Sequence, residues 1–171
     1  MTPAPKSIHR TFINAPIETV WATLVATDTP LPFFFGAICE TKEGLKPGEK
    51  MRMVHPNGKI AMVVGEVIAF EPPHRYAHTF QMTNIDEPPC TVTYELEEKD
   101  GGTEFSLIIT DAIDGSKLHK EMLSGQSYIA NNLKAVAETG KPAFSGRMVT
   151  MLGPVIGLLA KKKQRIENWP L

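Results

Sequence analysis

Cysteine and long hydrophobic runs are both scarce in this chain of 171 residues. Its two cysteines, Cys39 and Cys90, lie far apart and form no Cys-x-x-Cys pair, which is typical of buried free thiols in a reducing compartment. The longest apolar stretch, 148–160, has 13 residues, whereas a helix that crosses a membrane needs about 20. The sequence therefore argues against a disulfide-built protein and against a membrane-spanning one.

An excess of positive charge is also missing. The chain has 18 Lys and Arg against 19 Asp and Glu, a net charge of -1, which gives no sign of nucleic-acid binding. The hydrophobic fraction of 42% and the charged fraction of 22% are those of an ordinary globular protein. Residues 1–7 lack the apolar core of a secretory signal, and we expect a cytoplasmic protein.

The charges are unevenly distributed along the chain. Residues 1–139 carry 12 Lys and Arg against 18 Asp and Glu, a net -6, while residues 140–171 carry six cations against Glu167 alone, a net +5. Opposite fields attract within a protein. We therefore predict a domain at 1–141 and a helical extension at 142–171 that docks on this acidic domain or on a second copy. Contact of the extension with a membrane surface is the less favoured interpretation.

The first 35 residues predict a strand followed by helices. A β-branched and aromatic run at 8–14 favours a strand, and Pro16 is well placed to begin a helix. A helix over 16–26 would place apolar residues at i, i+3, i+4 and i+7 on one face: Ile17, Val20, Trp21 and Leu24. A second, short helical turn is predicted before Phe33 to Phe35.

From Gly36 to Thr110 the pattern changes to short alternating runs separated by turn sequences. This pattern predicts an antiparallel meander, in which Asn57-Gly58 is the sharpest hairpin signal. The strands are expected at 37–43, 49–55, 60–70, 74–82, 90–98 and 103–110. Helical periodicity then returns, with Ser124 as the expected N-cap of a helix that ends at Gly140 and with a separate short helix over 115–123.

The segment 65–76 (GEVIAFEPPHRY), together with 15–21 (APIETVW) upstream and with 91–96 and 102–104 downstream, resembles the family of Aha-type activators of the heat-shock chaperone ATPase. The resemblance covers roughly residues 7–139. It implies membership of the START-like, birch-pollen-allergen-like (SRPBCC) superfamily. Its members include lipid carriers, polyketide cyclases and co-chaperone domains, so the fold alone does not settle the activity.

The resemblance implies an α+β helix-grip fold. In that fold a curved antiparallel sheet of about six or seven strands wraps around a long C-terminal helix and encloses a hydrophobic cavity. A role in the stress response is implied only through the chaperone activators of the family.

Signals for a metal, a cofactor or a nucleophile are missing as well. His74 and His78 lie on a predicted strand, where four residues span about 13 Å, too far for two ligands of one zinc ion. No nucleophile elbow or phosphate-binding glycine loop occurs. His55, His78, Glu66 and Tyr94 are candidates for acid-base chemistry inside a cavity, but hydrogen-bonded strand residues are the favoured interpretation. We therefore assign no catalytic residue, no metal ligand and no cofactor.

Methionine and aromatic residues alternate along several predicted strands, the composition of an adaptable apolar pocket. A solid core is the competing interpretation. The predicted ligand-binding residues are Trp21, Phe33, Phe34, Met51, Met53, His55, Met62, His78, Phe80, Tyr94, Ile129 and Leu133.

The leading hypothesis is a non-catalytic module that binds a hydrophobic or amphipathic small molecule, such as a lipid, between the sheet and the C-terminal helix. One alternative is a protein-interaction domain like the chaperone-ATPase activators, with a chaperone or client protein as its partner. Another is a cavity enzyme: a cyclase, dehydratase or hydrolase. A homodimer is also considered, and no nucleic-acid partner is expected.

Overall fold

The computed structural model describes residues 1–171 and contains seven β-strands and three α-helices. The strands are β1 (Ser7–Ile13), β2 (Ile38–Thr41), β3 (Lys50–Val54), β4 (Ala61–Glu71), β5 (Arg75–Met82), β6 (Cys90–Lys99) and β7 (Gly102–Thr110). The helices are α1 (Ile17–Leu24), α2 (Lys117–Thr139) and α3 (Phe144–Leu158). Two 3-10 turns, Lys162–Gln164 and Ile166–Asn168, follow α3.

All seven strands belong to one antiparallel sheet in the order β1-β7-β6-β5-β4-β3-β2. Strands β2 to β7 form the predicted meander, and Gly58, at φ +72, occupies the turn between β3 and β4. Irregularities in register between Met53 and Val54 and between Val67 and Ala69 are of the kind that bend a sheet. This sheet and the long helix α2 confirm the predicted α+β helix-grip fold.

Helix α1 begins after Pro16 and buries the four predicted apolar residues against the sheet. The second helical turn predicted before Phe33 is wrong, because the chain forms a tight turn there. The backbone N–H groups of Phe34 and Gly36 both donate to Leu31 O, and Phe35 and Gly36 have φ of 55 and 70. Successive residues in the left-handed region cannot continue a right-handed helix.

Helix α2 is continuous from Lys117, so the prediction of a short helix at 115–123 and an N-cap at Ser124 is wrong. Ser116 is the N-cap, and its hydroxyl accepts a hydrogen bond from the His119 N–H at 3.0 Å. The Glu87 carboxylate accepts hydrogen bonds from the N–H groups of Lys117 and Leu118 at 3.0 and 2.8 Å. These partners satisfy the free N–H groups of the first turn, so the helix begins earlier than the periodicity suggested. It ends at Gly140, at φ 75.

The core lies between α2 and one face of the sheet. On β6, alternate residues are buried and face this core: Cys90, Val92, Tyr94 and Leu96. On α2 the buried residues include Ile129, Ala130 and Leu133. The layer between sheet and helix is where an internal cavity can form.

The C-terminal segment turns back onto the domain. The Asn132 side-chain oxygen accepts a hydrogen bond from the Ala143 N–H at 3.1 Å. Arg165 forms an isolated antiparallel β-bridge with Ile60. Arg52 Nη1 donates to Trp169 O at 2.8 Å. The division of the chain at residue 141 into a domain and an extension stays a prediction. None of the helices combines the length and the hydropathy that crossing a membrane requires.

Candidate functional site

A cavity of about 330 Å³ lies between the sheet and α2, and we call it the apolar cavity. Twelve of its sixteen lining residues are hydrophobic. The hydrophobic residues are Phe34, Phe35, Met62, Val63, Phe80, Met82, Val92, Tyr94, Leu107, Met122, Tyr128 and Ile129. Its volume and composition fall within the range of small-molecule sites in proteins.

The sheet supplies the floor of the apolar cavity and α2 supplies its roof. Strands β4 to β7 contribute seven of the lining residues. Helix α2 contributes Met122, Gly125, Gln126 and Ile129 at spacings i, i+3, i+4 and i+7, which share one helical face. A Cβ atom at Gly125 would meet nothing within 4 Å. The space in front of this glycine is therefore open.

Phe35 and Tyr128 form one wall of the cavity. Their rings stack with centroids 4.8 Å apart and an interplanar angle of 7°. The left-handed conformation of Phe35, at φ 55, belongs to the tight turn that brings its ring to α2. The buried Tyr128 hydroxyl has no hydrogen-bond partner. It is therefore a free polar group next to an apolar space.

Other polar groups at the cavity are few. Gln126 is buried, with its side-chain oxygen accepting from Ser7 Oγ at 2.8 Å and its Nε2 donating to Leu107 O at 3.2 Å. Burial raises the pKa of Tyr94 well above its usual value, so its hydroxyl stays protonated. Glu121 and Ser124 line the cavity and are also exposed. The cavity consequently reaches solvent beside the first half of α2.

Five of the twelve predicted ligand-binding residues line the apolar cavity: Phe34, Met62, Phe80, Tyr94 and Ile129. Six others are buried in the core outside its lining: Trp21, Phe33, Met51, Met53, His78 and Leu133. Trp21, for example, packs against Phe70 with ring centroids 5.3 Å apart. The apolar cavity occupies only part of the buried face of the sheet, because α1 and its neighbours cover the rest of that face.

His78 is fully enclosed and does not reach the cavity lining. Its Nδ1 lies 2.8 Å from Thr79 O. A carbonyl oxygen can only accept, so Nδ1 carries the hydrogen, and Nε2 is left without a partner. Burial lowers the pKa of His78 from 6.5 to about 4. The imidazole is therefore neutral at pH 7 and has no contact with solvent through which to exchange a proton.

His55 lies in a different depression, of about 780 Å³, between α3 and the turn that joins β3 to β4. We call this depression the basic groove, because its charged lining residues are Lys59, Lys161, Lys162 and Arg165. The Asn57 N–H donates to His55 Nδ1 at 3.2 Å. His55 Nε2 therefore carries the hydrogen and donates to Gly153 O at 3.0 Å. His55 thus fastens α3 to the sheet.

The remaining candidates for chemistry are dispersed. Glu66 is exposed on β4, away from both depressions. Cys39 and Cys90 are buried free thiols, and burial raises the pKa of each to about 12, which leaves them unreactive as nucleophiles at neutral pH. No group of three or more His, Cys, Asp and Glu side chains is arranged to hold a metal ion.

Sequence reasoning missed Phe35, Met122, Gln126 and Tyr128 as cavity residues. A signal for Phe35 was present, because the three consecutive aromatic residues Phe33 to Phe35 cannot all point into the same core. The helix residues had no such signal. The misplaced start of α2 left Met122 outside the predicted long helix, so its place on the cavity face was not visible.

Comparisons with known proteins agree with this fold. The solved structure of CalU16 from Micromonospora echinospora is 18% identical, with a TM-score of 0.61, over 90% of this chain and 87% of that one. The Aha1 dimer from Colwellia psychrerythraea is 14% identical, with a TM-score of 0.64, over 81% and 99%. PFC0360w, an HSP90 activator from Plasmodium falciparum, is 17% identical, with a TM-score of 0.60, over 81% and 99%. No curated protein matches this chain in sequence.

The sequence itself also matches a family. Residues 14–138 match the family described as Activator of Hsp90 ATPase homolog 1-like protein. The match includes β2 to β7, α1 and nearly all of α2, and thus every element that lines the apolar cavity. It confirms the resemblance carried by the motif at 65–76. The chain therefore belongs to the family of Activator of Hsp90 ATPase homolog 1-like proteins.

Proposed function

We propose that the protein is a non-catalytic module that binds a hydrophobic or amphipathic small molecule, such as a lipid, in the apolar cavity. The observation that carries the proposal is the cavity itself, with hydrophobic residues at twelve of sixteen lining positions. Met62, Met82 and Met122 contribute flexible side chains, which adapt their shape to a ligand at low cost.

Burial of apolar ligand surface is the main favourable term for binding in the cavity. Removing about 300 Å² of apolar ligand surface from water contributes about 7.5 kcal/mol before the cost of ordering the ligand. The affinity reflects only the surplus of this term over the ordering cost, which itself amounts to several kcal/mol. Such binding requires no ionised or metal-bound group.

The dispersal of the titratable groups supports a binding role over catalysis. His78 is sealed away from the cavity, His55 is committed to α3, and the two thiols are protonated. A general acid or base must reach the reacting proton directly or through one water molecule. Glu121, at the rim, is the one carboxylate among the lining residues of the cavity.

A second candidate function is activation of a chaperone ATPase. It is favoured by the family match and by the similarity to PFC0360w, an HSP90 activator. A direct test adds the purified chain to a purified Hsp90-type chaperone and measures the ATPase rate. An increased rate would establish this second function, and an unchanged rate would exclude it for that chaperone.

The ligand-binding proposal is tested by filling the cavity. In the variant Gly125→Phe the new ring enters the open space before the glycine. We expect it to reduce binding of N-phenyl-1-naphthylamine, a neutral fluorescent probe, by at least tenfold. Ser127→Phe adds the same ring on the exposed side of α2 and should bind like the unmodified chain. Equal affinity of all three proteins, or no binding by the unmodified chain, would refute the proposal.

A further inference from the structure

Helix α3 presents its large apolar side chains to solvent. Eight of them between residues 144 and 159 are 48–86% exposed. They are Phe144, Met148, Met151, Leu152, Val155, Ile156, Leu158 and Leu159. Single exposed apolar residues are ordinary, but a contiguous apolar surface marks a site of interaction.

The orientation of α3 is set by glycines on its opposite face. Gly146 is the helix's one buried residue, and a Cβ there would overlap the Asn132 amide. A Cβ at Gly157 would come within 2.9 Å of Asn57 and 3.1 Å of His55. Rolling the helix to hide its apolar side chains would force large groups into places that admit only glycine. The exposed apolar face is therefore built into the packing.

Positive charge lies at both ends of this face. Lys141 and Arg147 lie at the start of α3, and Lys161 and Lys162 follow its end. The adjoining basic groove has four cationic residues and no carboxylate in its lining, although Arg165 also contacts Glu167 at 3.6 Å. Lys163 is occupied with Asp86 at 2.7 Å. The cations that flank the apolar face remain available to an anionic partner.

The combination of an apolar face and flanking cations decides which partner α3 binds, a second copy of the chain or a membrane. A second copy that met this face with its own α3 would bring the same cations to the contact, so the two positively charged segments would repel each other. A membrane with anionic lipids offers an apolar interior and negative phosphates at its surface, and long cationic side chains reach those phosphates easily. We propose that α3 lies in the surface of an anionic lipid membrane, with its eight apolar side chains inserted and its flanking cations on the lipid phosphates.

The sequence predicted that the extension docks on the acidic domain or on a second copy, and contact with a membrane surface was the less favoured interpretation, which this proposal adopts. The extension does dock, but through glycines and through Arg52, Asn132 and His55. The large apolar residues of α3 lie on the solvent-exposed side of the helix. The proposal does not rest on ligand binding in the apolar cavity.

Co-sedimentation of the full chain with lipid vesicles tests the proposal. We expect the chain to bind vesicles of phosphatidylcholine with 30% phosphatidylglycerol at least tenfold more tightly than vesicles of phosphatidylcholine alone. The double variant Met151→Asp with Leu158→Asp changes two highly exposed side chains and should weaken binding at least tenfold. The control Ile68→Asp with Leu123→Asp adds the same charges at exposed apolar positions outside α3 and should bind nearly as the unmodified chain does.

A second pair of variants isolates the charge. Lys161→Gln with Lys162→Gln should weaken binding to the anionic vesicles about 25-fold, at roughly fivefold per cation. Lys6→Gln with Lys42→Gln, at exposed lysines away from α3, should change it little. The proposal is overturned if the unmodified chain stays in the supernatant with anionic vesicles, or if the α3 and control variants bind equally. It is also overturned if native mass spectrometry shows a dimer that the α3 variant dissociates while vesicle binding is absent.

Discussion

At the residue scale, burial decides what the polar side chains of this protein can do. His78 and Tyr76 are both enclosed, with ring centroids 5.0 Å apart. His78 Nε2 and the Tyr76 hydroxyl have no hydrogen-bond partner. Burial raises the pKa of Tyr76 as it lowers that of His78. Both groups are therefore neutral at pH 7, which suits an apolar interior.

The buried His78 predicts a loss of stability in mild acid. Between pH 6.5 and 4 its imidazole binds a proton in the unfolded chain but not in the folded one. The free energy of unfolding should therefore fall as the pH falls through this window, by about 3 kcal/mol at pH 4. Urea unfolding at pH 7 and pH 4 measures the loss. His78→Phe, which cannot titrate, should show a loss smaller by this amount.

A matched variant removes a solvated histidine. His74 is exposed, and His74→Gln should leave the acid-induced loss as it is in the unmodified chain. If His78→Phe and His74→Gln lose the same stability between pH 7 and pH 4, then His78 is not the buried neutral group described above.

Residue identity alone predicted some cavity residues and not others. Phe80 and Tyr94 were found because they lie on strands with an alternating pattern, whereas Met62 was found as a methionine just past the hairpin at Asn57-Gly58. Met51 and Met53 have the same alternation, but β3 lies toward the far edge of the sheet, beyond the cavity lining. Alternation shows which face of a strand is buried. It does not show what covers that face.

At the element scale, the beginning of α2 was harder to predict than its end. Gly140 ended α2 as expected, whereas its start depends on the carboxylate of Glu87, thirty residues earlier in the chain. A capping partner from a distant loop leaves no local signal in the sequence. The antiparallel strands were predictable, because turn residues separate runs that each alternate with period two.

The attachment of the start of α3 depends on a close contact at Gly146. Gly146→Ala would place a Cβ against the Asn132 amide, which also accepts the Ala143 N–H. We expect the start of α3 to loosen, despite the better helix propensity of alanine. Amide hydrogen exchange over residues 143–160 should become at least tenfold faster, while α2 and the sheet keep their protection.

The same helix provides the control for this prediction. A Cβ at Gly153 would meet only His55 Nε2, at 3.9 Å. Gly153→Ala should therefore leave exchange over the segment unchanged or slower. Faster exchange in both variants would mean that any added methyl group loosens α3, so that the contact of Gly146 with Asn132 has no special role. Slower exchange in both variants would also contradict the role of Gly146.

At the scale of the whole molecule, the order of elements was predictable and the position of the cavity was not. The motif at 65–76 and the meander pattern are both local. The meander pattern indicated the antiparallel sheet, and the family resemblance carried by the motif implied the helix-grip fold. The cavity depends on how α1 and α2 share one face of the sheet, and on a turn that sends Phe34 and Phe35 toward α2. Those are long-range relations, which periodicity does not encode.

Two surfaces of the molecule have separate proposed roles. The apolar cavity lies inside, between sheet and α2, and the apolar face of α3 lies outside, on the C-terminal segment. Their methionines differ accordingly. Met62, Met82 and Met122 line the cavity, Met51 and Met53 are buried beyond it, and Met148 and Met151 are exposed on α3.

Methyl NMR of the chain labelled at its methionines, titrated with N-phenyl-1-naphthylamine, tests the ligand-binding proposal most directly. The account predicts progressive shifts of the Met62, Met82 and Met122 methyl signals, while those of Met51 and Met53 stay in place. Shifts confined to Met148 and Met151 would locate the probe on α3, and a spectrum that does not change at saturating probe would leave the cavity without a ligand. Either result would contradict the account.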